Sequence, residues 1–293
     1  MNINSNKCSK MWQKPVLILW MFGINNLPVS ANNSVQHQIE DFSETKSAIV
    51  AIDILDAVQG AAEFIQIANI SDEQEIEIGK QTNEQILAEY QLYDNPQVQG
   101  YVENLGQELV NSGDSRNIPF HFQVVVSDEV NAFATPGGFV YVTTGLLKTA
   151  ENRAQLASVM AHEIAHINNK HGVKGLKQAV AAKGIASTVG VDTSALAQIA
   201  YQLTVDLPKS RSFEYEADSD GLDTLQQAGY PAEAFSQFLA KLESSGGTPE
   251  FLRTHPSSDN RIEAIAQKSK TNNPSNLKGQ DKAEYYQNVL SLI

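Results

Sequence analysis

A single cysteine, Cys8, serves the whole 293-residue chain. It lies in an N-terminal stretch with the layout of a secretory signal, so the mature protein is expected to carry no thiol. That excludes both a disulfide framework and a cysteine-ligated metal. Any metal must be held by histidine and carboxylate. Basic residues are also scarce: 21 Lys and Arg stand against 34 Asp and Glu, a formal net charge of −13. The first 31 residues hold Lys7, Lys10 and Lys14 and no acid, which leaves 18 basic against 34 acidic residues beyond them, a net of −16. A surface of that sign argues against nucleic-acid and anionic-membrane partners. Long apolar runs are missing too. Val16-Leu17-Ile18-Leu19-Trp20-Met21-Phe22 is too short to span a bilayer comfortably. Placed between a basic segment and the small residues Val29-Ser30-Ala31, it reads as a signal peptide over 1–31, cleaved near Ala31. The alternative is an uncleaved anchor. Cleavage implies export, with the periplasm as destination.

The remaining chain divides by pattern. Residues 32–70 form an N-terminal helical segment: Ile49, Ile52, Leu55, Val58, Ala62 and Ile65 recur at helical spacing, while Asp53, Asp56 and Glu63 exclude a membrane span. No stable membrane insertion of the mature chain is expected. Ser71-Asp72-Glu73-Gln74 is a capping box that starts a helix running to about Tyr90. A second helix spans Pro96 to Val110. The period then changes to two, with a strand over Phe120–Val126 that places Phe120, Phe122, Val124 and Val126 on one face. Asn131–Ala134 and Phe139–Thr143 are further strands, joined through Pro136-Gly137-Gly138. Thr149 is expected to cap the next helix, which runs to about Asn169. Residues 172–208 read as two helices. Further helices follow near Lys209–Ala228, Pro231–Leu242, Asp259–Gln267 and Asp281–Leu290, with Gly246-Gly247 as a turn. Residues 71–270 form the main domain and 271–293 a tail with a short helix.

The helix after Thr149 carries His162-Glu163-Ile164-Ala165-His166. Leu156, Val159, Met160, Ile164 and Ile167 make it apolar and helical, so His162 and His166 project from one face over a single turn. Two imidazoles so placed suit a divalent metal, each about 2 Å from the ion. Glu163 stands beside them, where a carboxylate can take a proton from an activated water. Chance produces H-E-x-x-H in roughly one chain in a hundred at ordinary composition. Inside an apolar helix, however, three such side chains need partners to offset their desolvation.

A third ligand must come from elsewhere. A histidine six residues after His166 is absent, since Gly172 stands there. His171 misses that register and is expected at the helix end, where a partly charged imidazole is favoured. Glu214 and Asp218 offer another solution, 48 residues after His166 and spaced to share one helix face. Glu214 can bind the metal while Asp218 orients a ligand histidine. The plainer meaning of this run is a solvated acidic face, which remains the expectation for Glu216.

Five segments together resemble the gluzincin metallopeptidases, which include the CAAX prenyl-protein endopeptidases, the heat-shock membrane proteases and the periplasmic β-barrel assembly-enhancing protease. They are Asn131-Ala-Phe-Ala-x-Pro-Gly-Gly138, Thr144-Gly-Leu-Leu147, His162-Glu-x-x-His166, Ser210-Arg-x-x-Glu214-x-x-x-Asp218 and Thr254-His-Pro-x-x-x-x-Arg261. The resemblance implies a mainly helical α+β, zincin-like catalytic domain over 71–270, with a small sheet whose edge strand lines the active site. It further implies one Zn2+ per chain on His162, His166 and Glu214, with Glu163 as general base and Asp218 orienting a ligand. Asn131, Ala132, Phe133, Gly137 and Gly138 match the segment that binds a protein or peptide substrate by strand addition. His255 matches a histidine that approaches or caps the metal, and Arg261 an arginine that helps hold substrate or oxyanion. Arg153 and Gln155 stand where relatives often carry acids, a departure expected to alter helix capping more than chemistry.

The expected function is an exported zinc endopeptidase of misfolded or unassembled envelope proteins. Its rival is a zinc-stabilised chaperone or assembly factor with latent peptidase activity, because a fourth protein ligand at His255 closes the site. A small-molecule amide hydrolase is the weaker alternative.

Overall fold

The computed structural model describes residues 70–181, 193–205, 208–244, 248–256, 259–269 and 277–293. The expected signal over 1–31, its cleavage near Ala31, the helical segment before residue 70 and the Gly246-Gly247 turn lie outside the described residues.

Helix α1 (Asp72–Glu89) begins as its sequence dictates. The Ser71 hydroxyl accepts from the Gln74 N–H at 3.2 Å, and the Gln74 side chain accepts from the Ser71 N–H at 3.0 Å. Two otherwise orphaned amides are satisfied. Helix α2 (Pro96–Ser112) has Asn95 as its cap and proline at its first position.

Strands β1 (His121–Val125), β2 (Ala132–Thr135) and β3 (Phe139–Thr143) form one sheet in the order β1-β3-β2. β2 and β3 are an antiparallel hairpin with Thr135 opposite Phe139, and β3 runs parallel to β1. Pro136-Gly137-Gly138 is the hairpin turn. Gly137 (φ +80°) and Gly138 (φ +97°) hold conformations that L side chains resist. Val126 departs from the expected face: it follows β1 and is 46% exposed. There its N–H turns to the Gln91 carbonyl instead of continuing the β3 ladder.

The helices after the sheet are α3 (Thr144–Thr149), α4 (Arg153–Asn168), α5 (His171–Ala181), α6 (Thr193–Val205) and α7 (Arg211–Gln227). They continue with α8 (Glu233–Ser244), α9 (Glu250–Thr254), α10 (Asp259–Ser269) and α11 (Lys282–Asn288), then one 3-10 turn, Leu290–Leu292. The result is a mainly helical α+β architecture. No helix among the described residues is long and apolar enough to cross a membrane.

Thr149 does not cap the histidine helix. It ends the separate short helix α3, and Asn152 is the cap of α4, accepting from the Gln155 N–H at 3.0 Å. Gln155 answers by accepting from the Glu151 N–H at 2.9 Å. An amide there serves the capping that an acid serves elsewhere.

Every residue of α4 from Ala154 to Ile167 is buried, which makes it the central helix of the main core. α2, one face of the sheet, α7 and α8 surround it, with Tyr285 and Val289 completing the shell. A second cluster joins Ile78 of α1, Val173 and Leu176 of α5, and Leu196 and Ile199 of α6. α7 lies close on α4 because residue 221 is glycine: a Cβ there would sit 3.0 Å from the His162 Cα. That approach brings the acids of α7 to the histidines.

Candidate active site

Four side chains converge where α4, α7 and α9 meet. His162 Nε2 lies 3.1 Å from His166 Nε2 and 3.2 Å from His255 Nδ1. Glu214 Oε1 is 3.3 Å from His166 Nε2 and 3.1 Å from His255 Nδ1, and its Oε2 is 3.5 Å from His162 Nε2. All four residues are buried. Donors about 2.0–2.1 Å from a tetrahedral ion stand about 3.3 Å apart from one another, so this spacing fits a single metal.

The far sides of the His162 and His166 rings are also held. His162 Nδ1 faces Asp218 Oδ1 at 3.0 Å. Asp218 in turn accepts from Arg261 Nε at 2.5 Å and Nη2 at 2.9 Å. His166 Nδ1 lies 2.8 Å from His171 Nδ1, and His171 Nε2 lies 3.1 Å from Glu216 Oε2. With Nε2–H of His171 donating to Glu216, its Nδ1 accepts from Nδ1–H of His166, and the His166 Nε2 lone pair turns to the metal position. His171 therefore does not behave as a charged helix end. It is 2% exposed, burial lowers its pKa, and it opens α5. Glu216 is exposed as expected of a solvated acid, yet it is paired with His171. Sequence reasoning missed this pair. The available signal was a second acid two residues beyond Glu214, facing a histidine the metal did not use.

Arg261 is 1% exposed. Besides Asp218, it meets Glu214 Oε2 at 2.8 Å and donates to the His255 and Pro256 carbonyls at 3.2 and 3.0 Å. The resemblance expects it at the substrate or oxyanion. The structure instead puts it behind Glu214 and Asp218, with its donors spent on protein groups.

His255 follows α9 as its C-terminal cap in a non-helical conformation (φ −123°, ψ 75°). The Phe251 ring stacks on it at 4.6 Å, and the Phe251 N–H donates to the Val130 carbonyl, so the His255 segment is tied to the approach to β2. Its Nε2 lies 3.3 Å from Glu163 Oε1. That contact is not aligned as a hydrogen bond, and both Glu163 oxygens are buried without a hydrogen-bond partner. A buried carboxylate in that condition costs about 1–3 kcal/mol or more, a condition shared by catalytic groups and by the neighbours of a bound ion.

The electrostatics suit a cation. Burial opposes protonation of all three rings. At His162 alone the Asp218 and Glu214 carboxylates outweigh it, pushing the pKa up to about 9, while burial keeps His166 well below the ordinary value and His255 below it. Burial also opposes the charge on Glu214, yet the surrounding histidines hold it well below the usual carboxylate range. Three ring nitrogens, two of them on rings where burial disfavours the proton, and one carboxylate make the donor set.

The expected substrate residues fall on one strand and its turn. Asn131 precedes β2, Ala132 and Phe133 lie within it, and Gly137 and Gly138 close the hairpin. Phe133 points into a cluster with Tyr141, its ring 4.9 Å away.

A profile of Peptidase family M48 matches residues 96–269, more than half the chain and all four residues of the donor group. The chain is 33% identical over 212 residues to the β-barrel assembly-enhancing protease of Escherichia coli (strain K12), covering 67% of this chain and 44% of that protein. The protein of the same name from Yersinia pestis is 32% identical over 237 residues, 75% of this chain and 48% of the relative. The mitochondrial metalloendopeptidase OMA1 of Arabidopsis thaliana is 34% identical over 154 residues, 50% of this chain and 31% of the relative. The chain thus spans less than half the length of these curated relatives. With a buried group fit for a metal inside the matched region, the chain belongs to peptidase family M48.

Proposed function

We infer that the protein is an exported zinc endopeptidase that hydrolyses peptide bonds of misfolded or unassembled envelope proteins, acting in the periplasm. The observation that carries this reading is Glu163: a buried carboxylate without a hydrogen-bond partner, 3.3 Å from His255 Nε2 and beside a group of four donors fit for a metal. The names of the relatives support proteolysis, and the signal-like N-terminus supports export.

His162, His166 and Glu214 would hold the ion. When bound, zinc supplies Lewis acidity, polarising the scissile carbonyl and acidifying the attacking water. Glu163 takes the proton of that water and returns it to the leaving amine nitrogen. Asp218 and the His171–Glu216 pair fix the ligand rings, and Arg261 keeps Glu214 and Asp218 in place.

Substrate joins β2 as an added strand. Thr143 N–H donates to the Asn131 carbonyl, so by alternation Asn131, Phe133 and Thr135 face β3, and Ala132 and Ala134 turn their main-chain groups outward. The other sheet edge is blocked. Gln99, Glu103 and Gln107 of α2 bind the Val124 N–H and C=O, the Phe122 N–H and the Phe120 C=O.

Glu163→Gln is expected to keep metal and fold while casein or peptide-library hydrolysis falls about 10²–10⁴-fold. Turnover at the wild-type rate in that variant overturns the reading.

One observation favours a second reading, an assembly factor whose peptidase activity is latent: His255 Nδ1 stands 3.2 Å from His162 Nε2 and 3.1 Å from Glu214 Oε1, within reach of the ion the other three would hold. If His255 closes the site, His255→Ala raises basal cleavage and self-cleavage with metal still bound. If His255 instead donates to the oxyanion, the same change lowers activity about a hundredfold.

A further inference from the structure

A second buried carboxylate, outside the metal group and outside the segment matched to the family, connects the substrate strand to the metal helix. Glu75 of α1 is 1% exposed. Its Oε1 accepts from Arg116 Nη1 at 2.9 Å and from the Gly137 N–H at 3.3 Å, and its Oε2 accepts from Arg116 Nη2 at 2.7 Å. Arg116 Nη1 also donates to the Ile167 carbonyl at 3.0 Å, and the Arg116 N–H donates to Asn168 Oδ1 at 3.2 Å. Ile167 is the residue after the ligand His166, and Gly137 is in the turn that ends β2. One ion pair therefore spans from the last turn of α4 to the end of the edge strand.

The turn has no slack around this pair. A Cβ at Gly79 of α1 would collide with the Pro136 carbonyl, and one at Gly137 would sit 2.6 Å from the Glu75 carbonyl. A Cβ at Gly172 of α5 would sit 2.8 Å from Pro136 Cγ. Asp72 and Lys170 reinforce the cluster: Arg116 Nη2 and Lys170 Nζ each reach Asp72 Oδ1 at 2.7 Å. A buried pair of this kind is weak evidence for stability, since apolar groups of the same volume serve as well. Its geometric effect is specific: it fixes where β2 ends relative to His166.

We propose that Glu75 and Arg116 are positioning residues that set the register of a β2-bound peptide against the metal, and so determine which peptide bond is cut. This rests on the peptidase and strand-addition reading above. A peptide paired with β2 is carried wherever β2 sits, and a misplacement of about 1 Å at the reacting carbonyl costs about a hundredfold in rate. Loosening the pair leaves the peptide able to bind and the metal able to stay, but blurs the alignment between them.

The test uses the full chain with zinc and one extended peptide in which the wild type cuts mainly a single bond. Glu75→Gln removes the charge and keeps an acceptor for Gly137. Arg116→Lys keeps a charge for Glu75 but cannot fork to Glu75, Asp72 and Ile167 at once, and it serves if Glu75→Gln folds poorly. In either variant kcat is expected to fall about tenfold or more with KM within about twofold, and mass spectrometry should find cleavage spread over neighbouring bonds. Metal content stays at the wild-type level, and peptide affinity measured in a Glu163→Gln background stays unchanged. A folded variant with lowered Tm but the wild-type cleavage site and kcat overturns the proposal and leaves the pair a structural one. Loss of peptide affinity in the Glu163→Gln background also overturns it, by making the pair part of binding. A wild type that binds zinc and cuts no peptide overturns the peptidase reading instead, and the register role with it.

Discussion

At Glu214 one carboxylate meets two ligand imidazoles, a third from His255 and the Arg261 guanidinium, all within 3.5 Å. Glu214→Ala thus removes an anionic ligand and leaves Arg261 half-paired in the interior. Breaking a buried pair from one side costs about 3–5 kcal/mol. The variant is expected to lose tight zinc at neutral pH and to unfold at lower urea. Full retention of zinc on metal analysis removes Glu214 from the ligands. His171 differs because it touches His166 and lies outside the four-donor group. His171→Ala should keep zinc but weaken its affinity about 10–100-fold, read by competition with a chelating dye. The two residues also mark how far the sequence could be read. Glu214 was legible because ligand chemistry demands a carboxylate and helical spacing links it to Asp218. His171 was not, because its contact depends on the turn at Lys170 (φ +54°), which reverses the chain within three residues and carries no pattern of its own.

Among the elements, α2 shows local sequence serving a non-local need. Gln99, Glu103 and Gln107 recur every four residues, and their partners are the outer-edge backbone groups of Phe122 and Val124 in β1 and of Phe120 just before it. Side chains here replace a missing strand, which blunts an edge that otherwise recruits other chains. Glu103→Ala leaves the Phe122 N–H without its acceptor and is expected to cost about 1–3 kcal/mol. Paired with Gln99→Ala, it should also raise self-association, seen by light scattering; a monodisperse double variant at unchanged stability counts against the guard. The strands themselves were legible from their period. The order β1-β3-β2 was not, because a parallel β1–β3 pairing is decided by the tertiary packing of α2 and α4. The cap of α4 was misread for a related reason. Thr149 has a capping side chain, but α3 uses up the residues before it, and Asn152 is the first free cap beyond that helix.

At the scale of the molecule, residues 277–293 lie across the beginning of α4. The Ala154 N–H donates to the Gly279 carbonyl at 2.8 Å, and the Lys278 N–H donates to the Gly229 carbonyl at 3.1 Å. Lys278 pairs with Glu108 and Lys282 with Glu151 at 2.5 Å. Tyr285, fully buried, packs on Tyr101 and donates to the Leu147 carbonyl at 2.9 Å. The ion pairs and the aromatic anchor differ in weight. Both pairs are partly exposed, and such pairs are worth about 0–1 kcal/mol, whereas truncating a buried aromatic costs about 3–5 kcal/mol. Tyr285→Ala should therefore release the segment, and Lys282→Ala should not. The carboxylates add a pH dependence of known sign. At Glu108, burial is outweighed by Lys278 and Arg153, and at Glu151 the Lys282 and Lys241 ammonium groups act directly; both acids are held below their ordinary values. Their contribution is complete above the unfolded carboxylate pKa of about 4.3 and is lost as pH falls through the lower folded values. Hydrogen exchange at the Ala154 amide reports the outcome. Its protection factor should fall strongly in Tyr285→Ala at neutral pH, hardly change in Lys282→Ala, and fall modestly in the wild type below about pH 4. The metal pair is eight or more residues further along α4, about 12 Å at 1.5 Å per residue, so Tyr285→Ala should keep zinc in its folded fraction. Equal exchange in wild type and Tyr285→Ala would show that the segment is held by its charges and not by its aromatic anchor.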